Sequence, residues 1–146
     1  MKILLLLGLC FCSSCFLLSD FSRSSYAYTG SESYSLVVPR GYNSVETAID
    51  SSGNELQVYS YPGGATLYFI RARDTAAAYQ PINYGENISR KLYHTIFYKG
   101  IDSSGRYWRE TRFGGFKAGY RTVAWGRDWK FDSAINYFSL LMVRDQ

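Results

Sequence analysis

The chain has 146 residues, a formal net charge of +4, one histidine, three cysteines and aromatic side chains at 18% of its length. That length suits one domain around one core. The charge is mild and acids alternate with bases, which excludes the clustered basic footprint of a nucleic-acid binder. One histidine, with every cysteine at the extreme N-terminus, excludes a structural zinc site.

Lys2 is the sole charge before Asp20, and Ile3 to Leu18 is apolar or small throughout. This pattern reads as the core of an export signal, too short to span a bilayer comfortably. Ser25-Tyr26-Ala27 then places small residues at the −3 and −1 positions of a cleavage site,. The sequence therefore predicts a leader over 1–27, a flexible lead-in over 28–33 and a single α+β domain over 34–146. Two other readings stay open. Cys12-Ser13-Ser14-Cys15 resembles a lipidation signal at Cys15, and the apolar run fits an uncleaved membrane helix. Cys10, Cys12 and Cys15 all fall within the leader. The exported domain is thus expected to carry no thiol, disulfide or cofactor, and to be periplasmic, envelope-associated or secreted.

The first predicted strand is Tyr34 to Val38, ended by the turn residues Pro39-Arg40-Gly41. A sequence echo follows. Ile49-Asp50-Ser51-Ser52-Gly53 recurs as Ile101-Asp102-Ser103-Ser104-Gly105, and each copy leads into a strand-like run, Glu55 to Tyr61 or Arg106 to Phe113. Each run reaches a glycine pair, Gly63-Gly64 or Gly114-Gly115, and a further strand, Ala65 to Arg73 or Phe116 to Ala124. Aspartate caps such a turn with its carboxylate, glycine takes φ > 0 at its end, and paired glycines make a tight hairpin. The fold expected is a mostly antiparallel sheet built from two such meanders.

Between the meanders, Asp74 to Arg90 reads as a short helical turn and a loop, with a glycosylation sequon at Asn87-Ile88-Ser89. The second meander should open on a strand from Tyr93 to Lys99. On its middle strand Tyr107, Arg109, Thr111 and Phe113 share one face. Arg106, Trp108, Glu110 and Arg112 share the other, which looks solvent-facing. Near the end, Phe131, Ala134, Ile135 and Phe138 make an apolar stripe at helical spacing behind Asp128, so a helix should pack on the sheet. Ser139 to Val143 then reads as a closing strand.

The segment Tyr34 to Tyr42, a strand followed by Pro-x-Gly-aromatic, resembles the opening of PsbP-like domains, and Phe131 to Leu140 is similar to their close. The resemblance implies an antiparallel sheet packed with helices, in an exported accessory or binding protein.

Catalytic chemistry finds little purchase. His94 has no Gly-x-Ser-x-Gly elbow to serve, and the Asp50 and Asp102 turns supply too few carboxylates for calcium. Glu110, Asp102 and Asp128 are the acids available to a glycosidase in the aromatic second half, but such enzymes need a deep cleft. The expectation is a non-catalytic binding or accessory protein with a protein or glycan ligand, and membrane contact only through a lipid or an uncleaved leader. A small secreted carbohydrate-active protein and an exported inhibitor of the immunity type are the other readings. Candidate binding residues are Arg106, Trp108, Glu110 and Arg112, then Trp125 and Trp129.

Overall fold

The computed structural model describes residues 20–27, 33–73, 88–92 and 95–144. Strands β1 (Phe21–Ala27) and β2 (Ser33–Pro39) form a separate antiparallel pair. Seven strands make the main sheet: β3 (Ser44–Ile49), β4 (Glu55–Ser60), β5 (Thr66–Arg71), β6 (Ile88–Leu92), β7 (Thr95–Ile101), β8 (Tyr107–Phe113) and β9 (Phe116–Val123). Their order is β3-β4-β5-β9-β8-β7-β6, and every pairing is antiparallel. Among the described residues one α-helix, α1 (Asp128–Arg144), packs on this sheet. The architecture is α+β, a mostly antiparallel sheet with a C-terminal helix.

The repeated pentapeptides make matching turns. Asp50 Oδ1 accepts from the Ser52 and Asn54 amides, and Asp102 Oδ1 from the Ser104 and Arg106 amides. Gly53 and Gly105 close the turns at φ 78° and 74°, a region that favours glycine. Side-chain hydrogen bonds, from Asn54 to Asp50 and from Ser104 to Asp102, hold both carboxyls below their ordinary range.

The core lies between the sheet on one side and α1 with the β1–β2 pair on the other. Leu36 and Val38 from β2 are fully buried against Leu67, Phe69, Ala118 and Tyr120 of the sheet and Phe131, Ala134, Ile135 and Phe138 of α1. Phe138 is the hub, with ring centroids 5.0 Å from Phe69, 5.5 Å from Phe113 and 5.6 Å from Phe116. Perpendicular rings of this kind are worth more than their buried area alone. Tyr42, Tyr59 and Tyr61 extend the aromatic cluster to Phe131.

Three local expectations are corrected. Ser139 to Val143 continues α1, because Met142 falls one turn after Phe138 on the same buried face,. Residues 88–90 belong to strand β6 and not to a loop. Ser44–Ile49 is a strand that the sequence reading passed over; it is exposed throughout, so no buried alternation marks it. Phe21–Ala27, which the sequence assigns to the leader, forms strand β1. Asn87 and His94 lie outside the described residues, as do the three cysteines.

Candidate functional site

The site begins with a fault in strand pairing. From Phe113↔Phe116 to Arg109↔Tyr120, β8 and β9 pair residue for residue; the register then shifts and resumes at Tyr107↔Val123. Trp108 alone on β8 therefore faces both Arg121 and Thr122 on β9. This is a β-bulge, and it re-aims side chains where it occurs. Its signature is Thr122 at φ 59°, a backbone region that a β-branched residue occupies only under strain. Past the bulge, Val123 returns to the core beside Tyr120.

A second relation organises the same face. The sheet joins its two meanders along β5 and β9, with Leu67↔Tyr120, Tyr68↔Gly119 and Phe69↔Ala118. Aligning the glycine hairpins matches Tyr68 in the first meander to Gly119 in the second, so these equivalent positions face each other and a local two-fold axis passes between them. The axis is broken by chemistry. A Cβ on Gly119 would overlap the Tyr68 hydroxyl and the Arg109 carbonyl. Glycine is what allows the tyrosine to lie across β9.

Tyr68 reaches over Gly119 to Glu110, donating its hydroxyl to Oε2 at 3.2 Å. Arg112 Nε donates to Glu110 Oε1 at 2.6 Å, and the Arg112 guanidinium lies 5.4 Å from the Tyr98 ring centroid. Burial first, then the Glu110 carboxylate, raises the Tyr68 hydroxyl well above its ordinary pKa, against a lowering contribution from Arg121. Tyr68 is thus a fixed proton donor at neutral pH.

These groups wall a cavity of about 410 Å³. Its sides are Tyr68 from β5, Trp108 and Glu110 from β8, and Arg121 and Thr122 from the bulge. Ile101 at the end of β7, with Asp102 and Ser103 of the β7–β8 turn, closes the rim. Trp108 lies against β7 because its register partner is Gly100; a Cβ there would sit 2.9 Å from indole atoms Cζ2 and Nε1. One aromatic wall, one apolar rim residue and several oriented polar groups make up a binding cavity.

Of the residues named from sequence, Trp108 and Glu110 line the cavity and Arg112 supports it from behind. The face is not solvent-exposed as expected: Glu110 is 8% and Arg112 3% accessible. Each charge is tolerated because it neutralises the other and Tyr68 and Tyr98 engage them,. Arg106 is not among the lining residues, and its amide is used by the Asp102 turn. Trp125, 82% accessible, and Trp129 stand at the α1 end, with Trp129 against Phe21. Tyr68, Arg121 and Thr122 were missed. The available signal was parity: Tyr120 and Val123 both belong to the core, yet their spacing puts them on opposite faces of a regular strand.

A second polar cluster sits on the helix side. Arg109 Nη1 meets Asp132 Oδ1 at 2.9 Å, its Nη2 donates to Asn136 Oδ1 at 2.8 Å and its Nε to Thr111 Oγ1 at 3.0 Å. Lys99 binds Asp132 Oδ2 at 2.7 Å, and the Tyr120 hydroxyl donates to Asp132 Oδ1 at 3.1 Å. Burial would raise the Asp132 carboxyl, but hydrogen bonds from Lys99 and Arg109 outweigh it and lower the pKa. This cluster latches α1 to the sheet.

Among the described residues no group of three or more potential metal ligands forms, and no helix is long and apolar enough to cross a membrane. Comparison of the chain with protein families, with curated proteins and with solved structures found no match.

Proposed function

We propose that the chain is an exported, non-catalytic binding protein, and that the cavity beside the β-bulge receives a neutral, hydroxyl-rich ring such as one saccharide unit. The observation carrying this is the union of the Trp108 wall with polar groups held at fixed positions. Glu110 is paired with Arg112, the Asp102 carboxylate is engaged by its own turn, and Arg121 is hydrogen-bonded to Tyr68. A neutral polyol finds donors and acceptors at fixed positions and an apolar plate for its ring face.

Two features support binding over catalysis. Glycoside hydrolysis needs a carboxylic acid held protonated by its surroundings. Asp102 is displaced in the opposite direction, and Glu110 accepts from Tyr68 and Arg112. The test is a glycan array probed with wild type and Trp108→Ala. Selective retention of neutral glycans that Trp108→Ala loses, with circular dichroism unchanged, is the expected result. A blank array removes the saccharide reading.

The reading of an exported inhibitor draws instead on Trp125, the most exposed large apolar side chain among the described residues, beside the start of α1. A blank array combined with loss of protein-partner capture in Trp125→Ala would favour it.

A further inference from the structure

Strand β1 lies in the segment that a cut after Ala27 would discard. Its pairing with β2 runs through seven positions, Phe21↔Pro39 to Ala27↔Ser33. Among the described residues no other strand pairs with β2, and the two form a sheet of their own. Yet β2 delivers Leu36 and Val38 to the core at 0% accessibility. Removing β1 would leave a core-forming strand with no ladder, and unpaired backbone groups beside a core are costly.

Further bonds tie the same segment to the domain. The Arg40 amide donates to the Asp20 carbonyl at 2.9 Å, and Arg40 Nε to the Phe21 carbonyl at 2.8 Å. Lys130 of α1 pairs with the Asp20 carboxylate at 3.0 Å. The hydroxyl of Tyr59, a fully buried residue, donates to Ser24 Oγ at 2.6 Å, and Phe21 packs edge-on to Trp129 at 6.3 Å. Segment 20–27 is therefore bound on three sides: by β2, by β4 and by α1.

We propose that the export leader ends before Asp20 and that β1 belongs to the mature domain. This rests on the export reading above. Maturation is hydrolysis of one amide, water leaving a carboxylate on the leader and an amine on the domain. Upstream of Asp20, small residues suited to the −1 position are Ser13, Ser14, Cys15 and Ser19,. Ser25-Tyr26-Ala27, which resembles a cleavage motif, is then used as the end of a strand.

The test is the intact mass of the protein matured from its full-length precursor in an exporting bacterial host, for wild type and Ala27→Phe. A bulky −1 residue blocks a cut at Ala27 but leaves an upstream cut untouched. The expected result is a mature start between Ser14 and Asp20 in both proteins, with or without the added mass of a lipid on Cys15. A wild-type start at Tyr28, with Ala27→Phe accumulating as precursor, overturns the proposal and leaves export standing. An uncut Met1 start in the cytosol overturns the export reading itself.

Discussion

Gly119 stands directly opposite Tyr68 across the β5–β9 seam, and the Tyr68 hydroxyl occupies the space that a Cβ at 119 would need. The contact fixes where Glu110 finds its donor. Gly119→Ala should therefore destabilise the fold by about 1–3 kcal/mol, as overpacking does. Part of that loss comes from the backbone carbonyl of Arg109 and part from Tyr68. Combining Gly119→Ala with Tyr68→Ala should accordingly cost less than the two separate losses together, by at least about 0.5 kcal/mol. Denaturant unfolding of the four proteins measures the coupling, and strict additivity would refute the contact.

Gly100 plays the matching part for Trp108. A methyl group at 100 meets the indole at 2.9 Å, so Gly100→Ala should push the ring out of the cavity wall. The expected outcome is a shift in tryptophan emission and at least a tenfold fall in affinity for any glycan the array retains, equivalent to about 1.4 kcal/mol. Emission and affinity identical to wild type would show that the indole does not form the wall.

The turns and hairpins of this fold are legible because their residues act locally. Asp102 and Gly105 make their turn whatever surrounds it, and the two halves of the sheet follow from that repeated logic. What the sequence conceals depends on partners distant along the chain. Glu110 and Arg112 look solvent-facing until Tyr68, far earlier in sequence, crosses Gly119 to meet Glu110, which holds Arg112 in turn. Thr122 gives no local warning of a left-handed backbone; the bulge arises where β9 must satisfy β8 and return Val123 to the core. Ser139 to Val143 is apolar without a clear period, and only packing of Met142 beneath α1 decides for helix. Strand β1 is polar and borders an apolar run, so a leader's composition hides it.

Asp132 makes helix docking depend on pH. Its carboxyl is lowered below the ordinary value of 3.8 on folding, the bonds from Lys99 and Arg109 outweighing burial. A group depressed in the folded state stabilises above its unfolded pKa and loses that contribution as pH falls through the folded value. Stability should hold from neutrality to about pH 4 and decline below it. Asp132→Asn should flatten this acid limb. At pH 7 Arg109→Met should cost about 1–3 kcal/mol, because Asp132 loses one charged donor while keeping Lys99 and Tyr120,, whereas Arg109→Met with Asp132→Leu should recover part of the loss. Urea midpoints across pH 2.5–7 test each step, and an acid limb unchanged in Asp132→Asn would place the titration elsewhere.

Thr122 is held at φ 59° in the wall of the cavity. A β-branched residue there carries strain of about 1–2 kcal/mol, which glycine would relieve. Glycine also loosens the unfolded chain, which offsets part of the gain. Thr122→Gly should still stabilise the fold by about 1 kcal/mol, raising the melting temperature by about 4 °C. The same change removes a hydroxyl and a methyl from the cavity wall and frees the backbone that aims Arg121. Glycan affinity should therefore fall while stability rises. Scanning calorimetry and titration on one variant read both quantities. A rise in stability with affinity unchanged would confine the strain to the bulge and detach it from binding. A fall in stability would show that Thr122 makes packing contacts worth more than the strain it carries.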